Sequence, residues 1–314
     1  MSAATRRGFL AGTLAGTVAP ALARGATPPT TMPHAERPVV RRGRAIAVSA
    51  DGRRLIVAHD ERRTVGIVTR GRTRLVELGG QPLGVALSPD GTVAAVTTAF
   101  WDGPGLTLLD AATGKVLRRR ALGPAPGDVA FTPDGRRLLV AGGEQEGTLH
   151  VLETGRYGTV VRAEPGRVPR AVVPTHDGRA AWISLDADDR VALVDLVSGR
   201  IRRELRTPAL PDRLALSPDG QRMLISHGGR EASRVTELEL ASGRVYRHRA
   251  GRLPSAVAWA RSGRRLVALG GEAAVLRLGG PRHPVGPAPR GLAVAGRRFW
   301  TVSALTGAID EGRA

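Results

Sequence analysis

A hydrophobic run, an Asp-Gly step and a second run usually opening on Arg recur along the chain. The steps are Asp51/Gly52, Asp90/Gly91, Asp134/Gly135, Asp177/Gly178 and Asp219/Gly220, with weaker copies at Ser262/Gly263 and Ala295/Gly296. Successive copies lie 39, 44, 43, 42, 43 and 33 residues apart. Asp-Gly between two short apolar runs is a tight hairpin turn, and several short strands in each such period make one four-stranded propeller blade. Seven copies predict an all-β chain: a seven-bladed β-propeller with four-stranded antiparallel blades. Each blade buries its faces only against its neighbours, so the 314 residues are expected to hold one ring rather than two domains.

The strands A to D of a blade are legible in the third repeat: Asp128–Thr132, Arg136–Ala141, Thr148–Leu152 and Thr159–Arg162. The C to D hairpin carries its own marker, a small or polar residue before Gly, at Thr113/Gly114, Thr154/Gly155, Ser198/Gly199 and Ser242/Gly243. Thr113-Gly114-Lys115 is not a phosphate loop, because the earlier Gly of that motif is missing and a strand follows. The last repeat supplies A (Gly291–Ala295), B (Arg297–Ser303) and a short C (Gly307–Asp310). Val39, Val40, Arg41 and Arg42 resemble a D strand, so the N-terminal strand is expected to complete the last blade and close the ring, which removes an exposed edge.

Ser88–Gly91, Ser217–Gly220, Thr132–Gly135 and the segment Leu108-Leu109-Asp110-Ala111-Ala112-Thr113-Gly114 together resemble the YVTN family of bacterial seven-bladed propellers. The resemblance spans about residues 38 to 310. It implies the fold; some members of that family bind single-stranded DNA. Related propellers include lactonases and the heavy subunit of quinone-dependent amine dehydrogenases, which are likenesses of fold alone.

Before the repeats, Thr5-Arg6-Arg7-Gly8-Phe9-Leu10 opens an apolar stretch that ends near Val18, and Ala21-Leu22-Ala23 has the small-x-small form of a cleavage site. This reads as a twin-arginine export signal over residues 1–23, followed by a linker over 24–37 and the propeller over 38–314. The apolar run is shorter than the roughly 20 residues of a membrane span. A periplasmic or secreted, monomeric protein is expected. With no cysteine, disulfides, thiol nucleophiles, iron-sulfur clusters and thioether-linked haem are excluded. The net charge is +19 and becomes +17 without the acid-free signal and its Arg6 and Arg7. Lys115 is the only lysine among 47 Lys and Arg residues. A surplus of this size favours anionic partners.

The A to B and C to D hairpins share one face of the ring, which leaves the B to C and D to A connections on the other. The B to C loops collect acids such as Asp102, Glu146, Asp186, Asp188, Asp189 and Glu272. The D to A connections place Arg44, Arg170, Arg213 and Arg290, with Asp128 and Asp212, near the mouth of the central channel. Four guanidinium groups from separate blades can converge on a carboxylate or phosphate. Phe100 and Trp101, beside Asp102, sit in a long B to C loop where an apolar pair needs a ligand, a partner or the channel to cover it. The outer strands carry Arg118, Arg119, Arg120, Arg202 and Arg203, a surface for nucleic acid or an anionic polymer.

Asp186, Asp188 and Asp189 lack the Gly and Glu that complete a calcium loop. His59 and His227 hold one repeat position on nearly opposite blades, too far apart to share a metal. No nucleophile motif, zinc-protease helix or dinucleotide fingerprint is present, so no catalytic residue is assigned and no cofactor is named. Three readings follow: a non-enzymatic binding or scaffold propeller for a partner protein or small anion; a binder of single-stranded nucleic acid or cell-surface polymer; and a redox accessory or lactonase-like enzyme.

Overall fold

The protein is described here as a computed structural model over residues 43–59, 63–99, 105–123, 126–143, 145–229 and 233–314. These residues form 27 strands and one short 3-10 turn, Asp186–Asp188. The strands make seven antiparallel sheets, each in simple chain order, six of four strands and one of three. The blades span 43–77, 81–120, 126–163, 169–206, 211–249, 254–284 and 289–313. Their first strands touch one another in a closed cycle, Pro289–Ala295 of blade 7 meeting Gly43–Val48 of blade 1, so strand A of every blade faces the axis.

The third repeat folds close to its sequence reading, with strands Pro126–Phe131, Arg137–Gly142, Thr148–Glu153 and Thr159–Ala163. In blade 7 the third strand is Ile309–Arg313 rather than Gly307–Asp310. Gly307 sits at φ 70° and its N–H closes a turn on Ser303 O at 3.0 Å, so pairing starts after it. The expected fourth strand of that blade, at Val39 to Arg42, lies outside the described residues.

The cores lie between blades. Seven apolar clusters occupy the seven junctions, among them Leu139, Val151, Val172 and Ile183 between blades 3 and 4, and Ile46, Val57, Trp300 and Val302 between blades 7 and 1. Period-2 strands with both faces covered give this arrangement. Phe131, Trp182, Phe299 and Trp300 are buried as their strand positions predict, and the half-buried Trp259 donates its indole N–H to Ala215 O of the preceding blade at 3.1 Å.

The turn motif has a chemical basis. In blade 1, Ser49 Oγ donates to Asp51 Oδ1 at 2.6 Å, Arg53 N–H donates to the same oxygen, and Gly52 N–H donates to Ser49 O. The Ser/Thr-x-Asp-Gly copies at Ser88, Thr132, Thr175 and Ser217 repeat this pattern. Hydrogen bonds from the hydroxyl and then the backbone hold Asp51, Asp90, Asp134, Asp177 and Asp219 below the usual carboxylate range. Gly52 has φ 71°, and a Cβ there would lie 2.7 Å from Arg298 Nη2 and 2.9 Å from Trp300, so both conformation and space call for glycine.

Arginines on the outer strands of blades 1, 2 and 4 clamp each of them to the blade that follows. Arg74 donates to Thr113 O, Arg118 to Arg156 O, Arg120 to Tyr157 O, and Arg203 to Leu240 O and Ala241 O, all within 3.0 Å. These four arginines cap hairpin carbonyls that strand pairing leaves open.

Candidate functional site at the channel mouth

Every inner strand breaks register near its start. Pairing slips between Gly43 and Ala45, Pro82 and Val85, Pro169 and Val172, Pro211 and Leu214, Pro254 and Ala256, and Pro289 and Gly291, and in blade 3 between the partners of Pro126 and Asp128. Six of these sites begin at a proline, which has no N–H for the ladder. A bulge frees a residue from pairing and re-aims its side chain. Here the freed residues include Arg44, Leu83, Arg170, Arg213, Ser255 and Arg290, and all six line one cavity of about 890 Å³ at the axis.

The bulges are supported by strand B and by the next blade. The N–H groups of Gly84, Ala171 and Arg213 donate to Thr97 Oγ1, Ser184 Oγ and Ser226 Oγ at 2.9, 2.9 and 3.2 Å. Thr97 Oγ1 and Ser184 Oγ donate onward to Gly127 O and Asp212 O of the following blades. Ser255 Oγ bridges to Pro289 O, and Asp128 Oδ2 accepts the N–H of Val172 at 3.1 Å. These hydroxyls were not singled out from sequence; the signal was Thr or Ser interrupting the end of an otherwise apolar strand B.

All four channel arginines expected from the D to A connections are thus brought together, but in different states. Arg170 Nε pairs with Asp186 Oδ2 at 3.0 Å. Arg213 lies between Asp128 at 4.0 Å and Asp212 at 3.8 Å, in ion pairs too long for hydrogen bonds. Enclosure by the channel wall pushes the Asp128 carboxyl up, and the nearby Arg213 guanidinium only partly offsets this. Arg290 is exposed to the cavity and makes no ion pair among the described residues. It stands beside Arg44 on the adjoining inner strand, where Gly291 packs directly on Ala45 and Ile46. The mouth is therefore uneven, with Arg170 and Arg213 in ion pairs on blades 4 and 5 and Arg290 on blade 7 in none among the described residues.

His227 also lines this cavity, with Nδ1 3.1 Å from Ala209 O and Nε2 2.8 Å from Thr236 Oγ1. A carbonyl only accepts, so Nδ1 carries the proton and Nε2 accepts from the threonine hydroxyl. His59 is fully buried in blade 1. Phe100, Trp101 and Asp102 lie outside the described residues. Asp188 is joined to Arg167 by its side chain at 2.7 Å and by the Arg167 N–H at 2.7 Å. Among the exterior arginines, Arg118, Arg120 and Arg203 serve as clamps, Arg202 is paired with Asp195, and Arg119 projects into solvent. Among the described residues no three metal-ligating side chains cluster, and no helix is long and apolar enough to cross a membrane.

No protein-family model matches the chain, and no curated protein sequence matches it. Many solved structures do. A chain of hydrazine synthase from Kuenenia stuttgartiensis superposes with a TM-score of 0.77 at 19% identity, over 92% of this chain and 99% of that one. At that identity the likeness concerns architecture, and it agrees with a seven-bladed β-propeller.

Proposed function

We propose that this chain is an exported, non-enzymatic binding propeller of YVTN type that holds a small anion at the mouth of its central channel. The observation that carries the reading is the ring of bulges, which gathers guanidinium groups from four separate blades into one cavity and leaves Arg290 without an ion pair among the described residues. Cavities of several hundred Å³ with a few convergent polar groups are the usual form of a small-ligand site. Guanidinium suits carboxylate and phosphate because its planar donors match their oxygens. The export signal read at Thr5–Leu10 would deliver the folded ring to the periplasm.

A thermal-shift screen of small carboxylates and phosphates against wild type, Arg290→Ala and Arg170→Ala tests it. At least one anion should raise the melting temperature of wild type, with the response reduced most in Arg290→Ala. A wild type that no anion stabilises, or three proteins with equal responses, would refute the site. The nucleic-acid reading of the exterior is weaker, because three of its five arginines are engaged with neighbouring blades.

A further inference from the structure

We infer that the anion is an amphipathic carboxylate, a small acid whose head meets Arg290 and whose short apolar tail lies against a collar above the bulges; this rests on the anion site proposed above. The collar is made by Val168, Leu210, Leu253 and Ala288, each the residue before the proline that starts an inner strand, and all four line the cavity. Each has positive φ: 50°, 55°, 52° and 49°. That conformation is strained for any residue with a Cβ and worst for a β-branched one. The chain uses glycine for most of its left-handed turns, yet at these four positions it keeps apolar side chains. The five other non-glycine residues with positive φ do not line the cavity. Strain retained at a ligand-facing position is a pointer to function.

Leu253 is 58% exposed and Leu210 38% exposed, so the collar is not simply core. Leu210 is carried on the Gly228-Gly229 backbone, where a Cβ on Gly229 would come within 2.8 Å of its Cδ1. Two residues further along each strand lie Arg170, Asp212, Ser255 and Arg290, so this polar tier sits about 7 Å below the collar. An anionic head below and a short apolar chain above match this order. Arg290, which makes no ion pair among the described residues, suits one negative charge, which favours a monocarboxylate over a phosphate dianion.

Titration calorimetry of the full chain with acetate, butanoate and hexanoate at constant ionic strength tests the inference. Affinity should rise about fourfold for each methylene that reaches the collar. Leu253→Gly should bind acetate as wild type does, flatten the rise along the series and melt no lower, because glycine relieves the positive φ. Leu253→Met should restore the slope. Arg290→Gln should weaken all members alike, by about tenfold. A flat series in wild type with acetate binding intact would overturn the amphipathic ligand and leave the anion site standing. No binding of any acid, or binding indifferent to Arg290→Gln, would remove the anion site itself. Tighter binding of acetyl-Leu-Leu than of any fatty acid would assign the collar to a partner's chain end and overturn the small-molecule assignment.

Discussion

Glu237→Gln should be among the most damaging single substitutions in the ring. Glu237 lies on the third strand of blade 5 with its side chain 2% exposed. It receives Arg222 at 2.8 Å and His248 at 2.9 Å from its own blade, and Arg265 at 2.5 Å from blade 6. Burial pushes its carboxyl up, but the hydrogen bonds from Arg222, Arg265 and His248 outweigh this and hold it below the usual range. Breaking a buried pair by removing one partner costs about 3–5 kcal/mol. Arg222 is half exposed and Arg265 about 29% exposed, so water recovers part of their solvation, and the lower figure, about 3 kcal/mol, applies. For a domain of this size that lowers the melting temperature by about 6–12 °C. The sign with pH follows from the depressed value: the carboxylate's contribution is complete above its unfolded pKa, near 4.5, and is lost as pH falls through the folded one. Melting curves of both proteins should therefore differ most near neutral pH and converge as the solution is acidified through the depressed folded value. A substitution neutral at pH 7, or a gap that does not narrow in acid, would refute this account of the blade 5 to 6 junction.

Arg203→Gln should cost about 1–2 kcal/mol because it leaves the carbonyls of Leu240 and Ala241 without their donor, whereas Arg119→Gln should be neutral; urea titrations of both compare them directly. Gly52→Ala should lower stability by about 1–3 kcal/mol through positive φ and collision with Arg298 and Trp300, read by the same titrations. Carboxyl-carbon NMR should find Asp51, Asp90, Asp134, Asp177 and Asp219 titrating below ordinary aspartates, and Ser88→Ala should raise only the Asp90 value.

Blade number, strand order and the hairpin face were legible in the sequence because each depends on local chemistry. Asp134 closes its turn with Thr132 two residues away, and Asp110 accepts from Ala112 and Thr113 within a single hairpin. The convergence of Arg44, Arg170, Arg213 and Arg290 was legible for a similar reason: the first residues of every strand A fall at similar heights on the ring. Their inequality was not. Arg170 is neutralised by Asp186 at the end of strand B in its own blade, and Arg290 is distinguished by the lack of such a neighbour among the described residues, which depends on loop paths rather than on repeat position. The bulges were hidden because a register slip leaves no mark in composition, although proline at the start of strand A and a hydroxyl late in strand B are their local trace. The exterior arginines looked like a charged surface because their carbonyl partners lie 37 to 39 residues away, one blade on.

The channel site is tested most directly by locating an anion with a heavy scatterer. Bromoacetate, titrated first in solution and then diffused into crystals of wild type and Arg290→Ala, reports its position through anomalous bromine signal. The account predicts a carboxylate within hydrogen-bond reach of Arg290 on the axis, with bromine toward Leu253 and Leu210, and loss of that signal in Arg290→Ala. Bromine found only on the outer strands, or held at the axis equally well without Arg290, would contradict it.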